Sequence, residues 1–323
     1  MRFTTMSALA ISLAGLIPAP VAAQTYPSRT VTVVVPFPAG GSVDGVARIL
    51  VQKLNETVGQ HFIVENRPGG ASGTVGANAV AKAAPDGYTL LVSASVHVIN
   101  PFLYKNVPYD VVSDFTPVSL LADGPLIVST TPSMPANNLK DLFALVRKDP
   151  QKYTFAATTI GSASHLCIEL LKLDAGLDTL VISYKGTAPA LTDLMSGQTH
   201  LLADPMLSSL PLAQSGKIKA LGLTSLKRAA AAPEIPTTEE SGMKGFEFVS
   251  WYGLWGPKNL DPNVSARLQA EITKVLALPD MKQRLSTLGF DPIGAGSEQF
   301  GKYIRTEMAK YEKIIKDAKI KVD

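Results

Sequence analysis

Thr30-Val-Thr-Val-Val-Val-Pro-Phe-Pro-Ala-Gly-Gly-Ser-Val-Asp44 is the stretch that decides how the rest of the chain is read. The β-branched run 31–35 predicts a buried strand. Pro36 ends it, and Pro38-Ala-Gly-Gly41 makes a tight turn. Val46, Leu50, Leu54 and Val58 then recur at i, i+4, i+8 and i+12, one face of a helix. A strand that feeds a glycine turn and a helix start forms an anion site from backbone alone. The first N–H groups of the helix point outward, the dipole favours negative charge, and glycine lets a ligand approach the main chain. Asp44 already places a carboxylate in the first turn, so it is expected to cap the helix or orient the loop rather than to touch an anion.

The pattern continues outward from that stretch. His61-Phe-Ile-Val-Glu65 reads as a strand, Asn66-Arg-Pro-Gly-Gly-Ala-Ser-Gly73 as a glycine-rich loop, and 75–83 as a helix. Residues 88–93 form the next strand, with the polar run Ser93-Ala-Ser-Val-His97 at its carboxyl end, where open α/β sheets present ligand sites. Alternating strands and helices call for a parallel sheet covered on both faces. A turn-rich passage, 100–117, is followed by two extended pieces, 118–121 and 126–128. A helix over 138–146 and a strand over 153–157 lead into Thr158-Thr-Ile-Gly-Ser-Ala-Ser-His165, where another helix opens. The opening design is thus repeated, and two such turns facing each other suit a ligand held between lobes. Beyond them come strands at 180–183, 200–203 (ending at Asp204) and 218–224, and a helix at 189–195. The aromatic, extended stretch 245–255 crosses back to the first lobe. The tail is helical: Asp261 caps with Pro262 at N1, a shorter helix over 281–288 ends at Gly289, and the last helix starts at Ser297. The expected lobes are 24–121 plus 252–323, and 122–251, joined by two crossing segments.

Composition bounds the function. The chain has 323 residues, 46 % apolar and 18 % charged, with a formal net charge of +3. That balance, without a dense Lys/Arg cluster, argues against a nucleic-acid binder. Residues 1–23 read as an export signal: Arg2, an apolar core over 8–17 too short to span a bilayer, and Val21-Ala22-Ala23 before Gln24. Cys167 is the only cysteine, among Leu166, Ile168, Leu170 and Leu171, so a disulfide within the chain is impossible and an inert buried thiol is expected.

The chemical candidates narrow quickly. The histidines at 61, 97, 165 and 200 have no metal-ligand spacing, and no metal or cofactor is expected. Gly40-Gly-Ser-Val-Asp44 and Gly70-Ala-Ser-Gly-Thr74 each miss the last glycine of a nucleophile elbow. Ser162-Ala-Ser164-His165 puts hydroxyls beside imidazole in sequence only. Nucleotide-loop patterns are missing as well. Reversible binding of a small anion by hydroxyls and main-chain N–H groups is what survives, with Lys185 the one basic side chain near the candidate cleft.

Several passages carry a family resemblance: Tyr26-Pro-Ser-Arg, Val35-Pro-Phe-Pro-Ala-Gly-Gly-Ser-Val-Asp44, Val64-Glu-Asn-Arg-Pro-Gly69, Ala84-Pro-Asp-Gly-Tyr-Thr-Leu90 and Ile99-Asn-Pro101. Gly161-Ser-Ala-Ser-His-Leu166, Tyr184-Lys-Gly-Thr-Ala-Pro-Ala-Leu-Thr-Asp193 and Thr224-Ser225 follow in family order. Over nearly the whole mature chain the sequence resembles the Bug/TctC family, periplasmic solute receptors of tripartite tricarboxylate transporters. The resemblance implies a two-lobed α/β, type II periplasmic-binding-protein fold with a central cleft that closes on a carboxylate, often a dicarboxylate or aromatic acid. It also implies that the two turns hold the ligand, partly through waters, and that membrane permease subunits are the partners of a monomeric receptor. Thr159-Ile160 depart from the family's Gly-Asn, His200 from its acidic residue, and Ala203 from its aromatic residue. If position 203 faces the cleft, a bulkier or aromatic acid is expected.

The candidate ligand-binding residues are therefore Phe37, Ala39, Gly40, Gly41 and Ser42 in the first turn, and Ser93, Ser95 and His97 at the strand end. Thr158, Thr159, Ser162 and Ser164 in the second turn, and Asp204, complete the set. Two alternatives stay open: a carboxylate sensor feeding a signalling protein, and a hydrolase using Ser42 or Ser164 with a histidine.

Overall fold

The computed structural model describes residues 26–320; the export signal read over 1–23 and its cleavage point lie outside them. Strand β1 (Val31–Val35) is hydrogen-bonded in parallel to β2 (Phe62–Asn66) on one side and β3 (Thr89–Ala94) on the other. Its unbroken valine run follows from cover on both faces. Val31, Val33 and Val35 pack toward helix α1 (Ser42–Val58), whereas Val34 joins the core containing Ala77 and Val80 of α2 (Thr74–Ala81). Each valine so buried contributes about 1.5–3 kcal/mol.

Helix α3 (Val96–Leu103) starts in the polar run after β3 and extends into the passage, 100–117, that composition marks as turn-rich. Val96, Val98, Ile99 and Leu103 are all buried, and burial on several sides outweighs the cost of Pro101 inside the helix. The extended pieces expected at 118–121 and 126–128 prove to be one long strand, β4 (Phe115–Thr130), running through Gly124-Pro125. Proline is tolerated there because β4 changes neighbours at that point.

Residues 115–125 of β4 pair antiparallel with β9 (Val249–Pro257), while residues 126–129 pair with β7 (Leu201–Pro205). The second sheet continues through β5 (Thr154–Ala157) to β6 (Leu180–Ser183), both parallel to their neighbours. Strands β8 (Lys219–Leu223) and β10 (Asp291–Gly296) add to β4 on its other side, one in each sheet. The fold is thus two α/β lobes joined by two crossing segments, β4, which belongs to both sheets, and the chain that enters β9.

Thr224 stitches this crossing together. Its Oγ1 accepts from the Leu126 N–H at 2.8 Å and donates to the Phe248 carbonyl at 2.5 Å, with the side chain fully buried. Behind β9, Trp251 donates its indole N–H to Tyr311 and Glu307 of the last helix, α10 (Ser297–Asp317). The remaining helices are α4 (Leu139–Lys148, capped by Asn138), α5 (Ala163–Ala175), α6 (Thr187–Ser196), α7 (Met206–Gln214), α8 (Pro262–Ala277, capped by Asp261) and α9 (Pro279–Thr287). Cys167 is buried and reduced, as expected of a core thiol, and burial pushes it well above the usual range. Among the described residues no helix is long and apolar enough to cross a membrane.

Candidate functional site

The carboxyl ends of β1 and β3 face those of β5, β6 and β7, and at each of these edges a helix begins. Three contacts fix the meeting of the lobes. Ser72 Oγ donates to the Ile160 carbonyl at 2.7 Å. A Cβ on Gly161 would come within 2.6 Å of Leu103 Cδ1, and one on Gly45 within 2.7 Å of Leu207 Cδ2. The first turn of α1 therefore stands opposite the first turn of α7, and the 158–164 turn opposite α3.

In the first lobe, the side chains around the glycine turn build it and leave the main chain for a ligand. Asp44 accepts from the Gly40 N–H at 3.0 Å, from Arg48 at 2.9 Å and from Asn66 at 2.9 Å. Asn66 also donates to the Phe37 carbonyl, and Arg48 to the Asn66 side chain. Burial pushes the Asp44 carboxyl up, but the Arg48 guanidinium, the Gly40 N–H and Asn66 outweigh it and hold it below the usual carboxylate range. Asp44 is loop support, as its place in the sequence implied. One consequence narrows the site: the Gly40 N–H is spent on Asp44, so Gly40 is no donor to a ligand. The first intrahelical bond runs from Gly45 N–H to Gly41 O. Ahead of it the amides of Gly41, Ser42 and Val43 face outward with the helix dipole behind them. A Cβ on Gly40 or Gly41 would meet nothing within 4 Å, so there is room in front of the turn. The Phe37 ring lies against Gly73, where an added Cβ would come within 3.2 Å of its Cζ.

The second turn follows the same plan. Ser164 Oγ accepts from the Thr158 N–H, Ser162 caps α5 by accepting from the His165 N–H, and the Ser162 hydroxyl donates to the Thr159 carbonyl at 2.7 Å. Thr159 Oγ1 turns back onto the Thr158 carbonyl, which the Gly186 N–H also reaches. His165 Nδ1 accepts from the Gly161 N–H at 3.2 Å. Burial and then Lys172 push its pKa down to about 4, so the ring is neutral at pH 7. The predicted hydroxyls of Thr158, Thr159 and Ser162 are thus scaffolding. The amides of Ala163 and Ser164, ahead of the Leu166 N–H to Ser162 O bond, are left to meet an anion.

Two predicted residues do not sit where the sequence put them. His97 is wedged among Tyr109, Phe115 and Trp255, with ring centroids 4.6–5.4 Å apart, and burial pushes it down to about 3. It is a core histidine, because the helix that the sequence hid turns it inward. Asp204 is fully buried and its two oxygens accept from Thr187, Ser208 and Ser209. Burial raises its pKa to about 6 against the lowering by those hydroxyls. It ties the starts of α6 and α7 together instead of presenting a free carboxylate. Ala203, on the opposite face of β7, is buried with Val128 and Leu166 in the core. It opens no room in the cleft, so the argument for a bulkier ligand falls. Ser93 and Ser95 are buried at the end of β3, and the Ser95 Oγ has no partner among the described residues.

The tripartite tricarboxylate transporter family receptor model (TctC) matches residues 46–320. The chain belongs to that family. Among solved structures, the periplasmic binding protein BugD is 38 % identical with a TM-score of 0.84, over 92 % of this chain and 99 % of its own. R. palustris Rpa4515 with adipate is 34 % identical with a TM-score of 0.88, over 92 % and 99 %. MatC from Rhodopseudomonas palustris with bound malate is 32 % identical with a TM-score of 0.82, over 90 % and 100 %. The two-lobed architecture is therefore the periplasmic-binding-protein fold, and proteins similar to this receptor hold dicarboxylates.

Sequence reasoning missed three contributors to this receptor's cleft. Tyr252, on β9, accepts from the Ser250 hydroxyl at 3.3 Å and lies near Ser42, and burial pushes it up to about 12. It read as one aromatic among several in an extended run. Thr187 lay in a quoted motif, but only the fold places it on Asp204. Ser72 belongs to a stretch that fails as a nucleophile elbow; its one signal in the sequence is a serine set among Gly69, Gly70 and Gly73.

Proposed function

We propose that this chain is an exported receptor that captures a small dicarboxylate in the interdomain cleft and delivers it to the permease subunits of a tripartite tricarboxylate transporter. What supports the reading is a free helix start in each lobe, 41–43 and 163–164, each with its side chains spent on shaping the turn and each beside an interlobe contact. Main-chain amides at both ends suit a ligand with an acidic group at each end. Adipate and malate in similar receptors support the same class.

In this reading, the lobes 24–121 plus 252–323 and 122–251 close as bodies about β4 and β9. The receptor works in the periplasm as a monomer, with its signal removed near Ala23/Gln24. The ligand-binding set becomes the amides of Gly41, Ser42, Val43, Ala163 and Ser164, with Ser95 and Tyr252 beside them and Phe37 as a wall. Ala39 and Gly40 belong to the loop that presents them. A hydrolase reading draws no support from the geometry, since Ser164 Oγ accepts from Thr158 and His165 Nδ1 is engaged by Gly161.

A thermal-shift panel of mono-, di- and tricarboxylates, including adipate and malate, tests the proposal. A ligand at a hundred times its Kd stabilises by about 2.7 kcal/mol, a shift on the order of 5 °C in a domain of this size. A panel in which no carboxylate moves the midpoint overturns the reading.

A further inference from the structure

We propose that Ser72 is an interlobe latch, a positioning residue that sets how long the cleft stays shut; the inference rests on the receptor reading above. Ser72 sits at φ 48°, ψ 47°, a left-handed conformation that costs a serine and would suit glycine. Its neighbours Gly69, Gly70 and Gly73 all have positive φ, so the loop already carries glycine wherever the backbone turns left. The serine at the fourth such position brings a hydroxyl that glycine lacks, and that hydroxyl crosses the cleft.

The hydrogen-bond accounting has one solution. Ser72 has a single hydroxyl proton, and the 2.7 Å contact to the Ile160 carbonyl can use no other. Tyr104 OH, 3.2 Å away, must then donate to Ser72 Oγ. The result is a relay from Tyr104 to Ser72 to the Ile160 carbonyl, in which each bond polarises the next. Asn100 donates to the Ser72 carbonyl and anchors the loop to α3. Ser72, Tyr104 and Asn100 belong to the first lobe and Ile160 to the second.

The acceptor's location gives the contact its consequence. Ile160 lies between Thr159 and Gly161, in the turn that aims the Ala163 and Ser164 amides at the ligand. An anion that orders this turn also aims the Ile160 carbonyl at Ser72. Ligand capture and lobe closure are thereby coupled through one carbonyl. When the lobes part, water replaces both partners, so the latch biases closure modestly and leaves release possible.

The test uses the full mature chain with one label on each lobe, at Lys274→Cys and Gln214→Cys, both exposed; the native Cys167 is buried. Interlobe distance distributions are measured with and without adipate, alongside its association and dissociation rates. Ser72→Gly keeps the backbone conformation and removes the hydroxyl; Ser72→Ala removes the hydroxyl and keeps the backbone cost. Both variants should lower the closed-to-open ratio about three- to tenfold in the ligand-free protein, and raise the dissociation rate by a similar factor. Tyr104→Phe should shift it in the same direction by less. An unchanged ligand-free distribution in Ser72→Gly overturns the latch. If adipate and the rest of the carboxylate panel fail to bind, the receptor reading fails, while the ligand-free distribution still decides the latch.

Discussion

Gly41→Asp should separate folding from binding at the first turn. Gly41 is the N-cap of α1 at φ −84°, ψ 172°, a conformation open to any residue, and a Cβ there meets nothing within 4 Å. Gly40 sits at φ 89°, where any side chain is strained, so it is the poorer place for the same change. Aspartate is a preferred N-cap and should match or exceed glycine by a few tenths of a kcal/mol. The same carboxylate would stand where the ligand's acidic end is expected. Two charges about 4 Å apart at an effective dielectric near 20 repel by about 4 kcal/mol, a loss of about a thousandfold in affinity. Calorimetric titration with adipate or malate reads the second effect and denaturant unfolding the first. Stability held and binding lost is the predicted pair. A Kd within threefold of the parent's in a folded Gly41→Asp would refute the placement of the anion at this helix start.

Thr224→Val should destabilise the chain by about 2–5 kcal/mol in denaturant unfolding, because it strands the buried Leu126 N–H and Phe248 carbonyl at the crossing. Asp204, raised to about 6 by burial, is more easily protonated folded than unfolded. Its stabilising contribution is therefore full below the unfolded value near 4 and is lost as pH rises through 6. Relative to Asp204→Asn, the parent should gain about 2–3 kcal/mol between pH 7 and 4, and a flat difference would contradict the assignment. His165 runs the other way: lowered to about 4, it favours folding above the unfolded value near 6.5 and loses that contribution as pH falls toward 4. His165→Ala should cost about 1–3 kcal/mol at pH 7 by orphaning the Gly161 N–H, and its deficit against the parent should shrink at pH 4.5 in thermal scans.

The parts legible in the sequence were those where local chemistry and tertiary need agree. The valine run of β1, the glycine turn and the apolar stripe of α1 all specify one strand–turn–helix, and the Asp261-Pro262 start of α8 reads equally directly. The illegible parts are those where packing overrides composition. Pro101 in α3 and Pro211 in α7 mask short helices at cleft edges, and Gly124-Pro125 splits a crossing strand that is continuous in space. Strand β10 ends in Gly-Ala-Gly and gains its pairing only from β4. At the site, residue types were read well but their duties were not. Hydroxyls of the second turn look like ligand donors in sequence, and the fold spends them on the turn itself. His97 follows a polar run yet faces an aromatic core. Ser72 carries its meaning in a backbone angle that a serine does not announce.

Amide chemical shifts during titration with a dicarboxylate test the central claim most directly. The account predicts that Gly41, Ser42 and Val43 in one lobe and Ala163 and Ser164 in the other move together, saturating on a single binding curve. Binding that perturbs neither helix start, or only one of them, would contradict it.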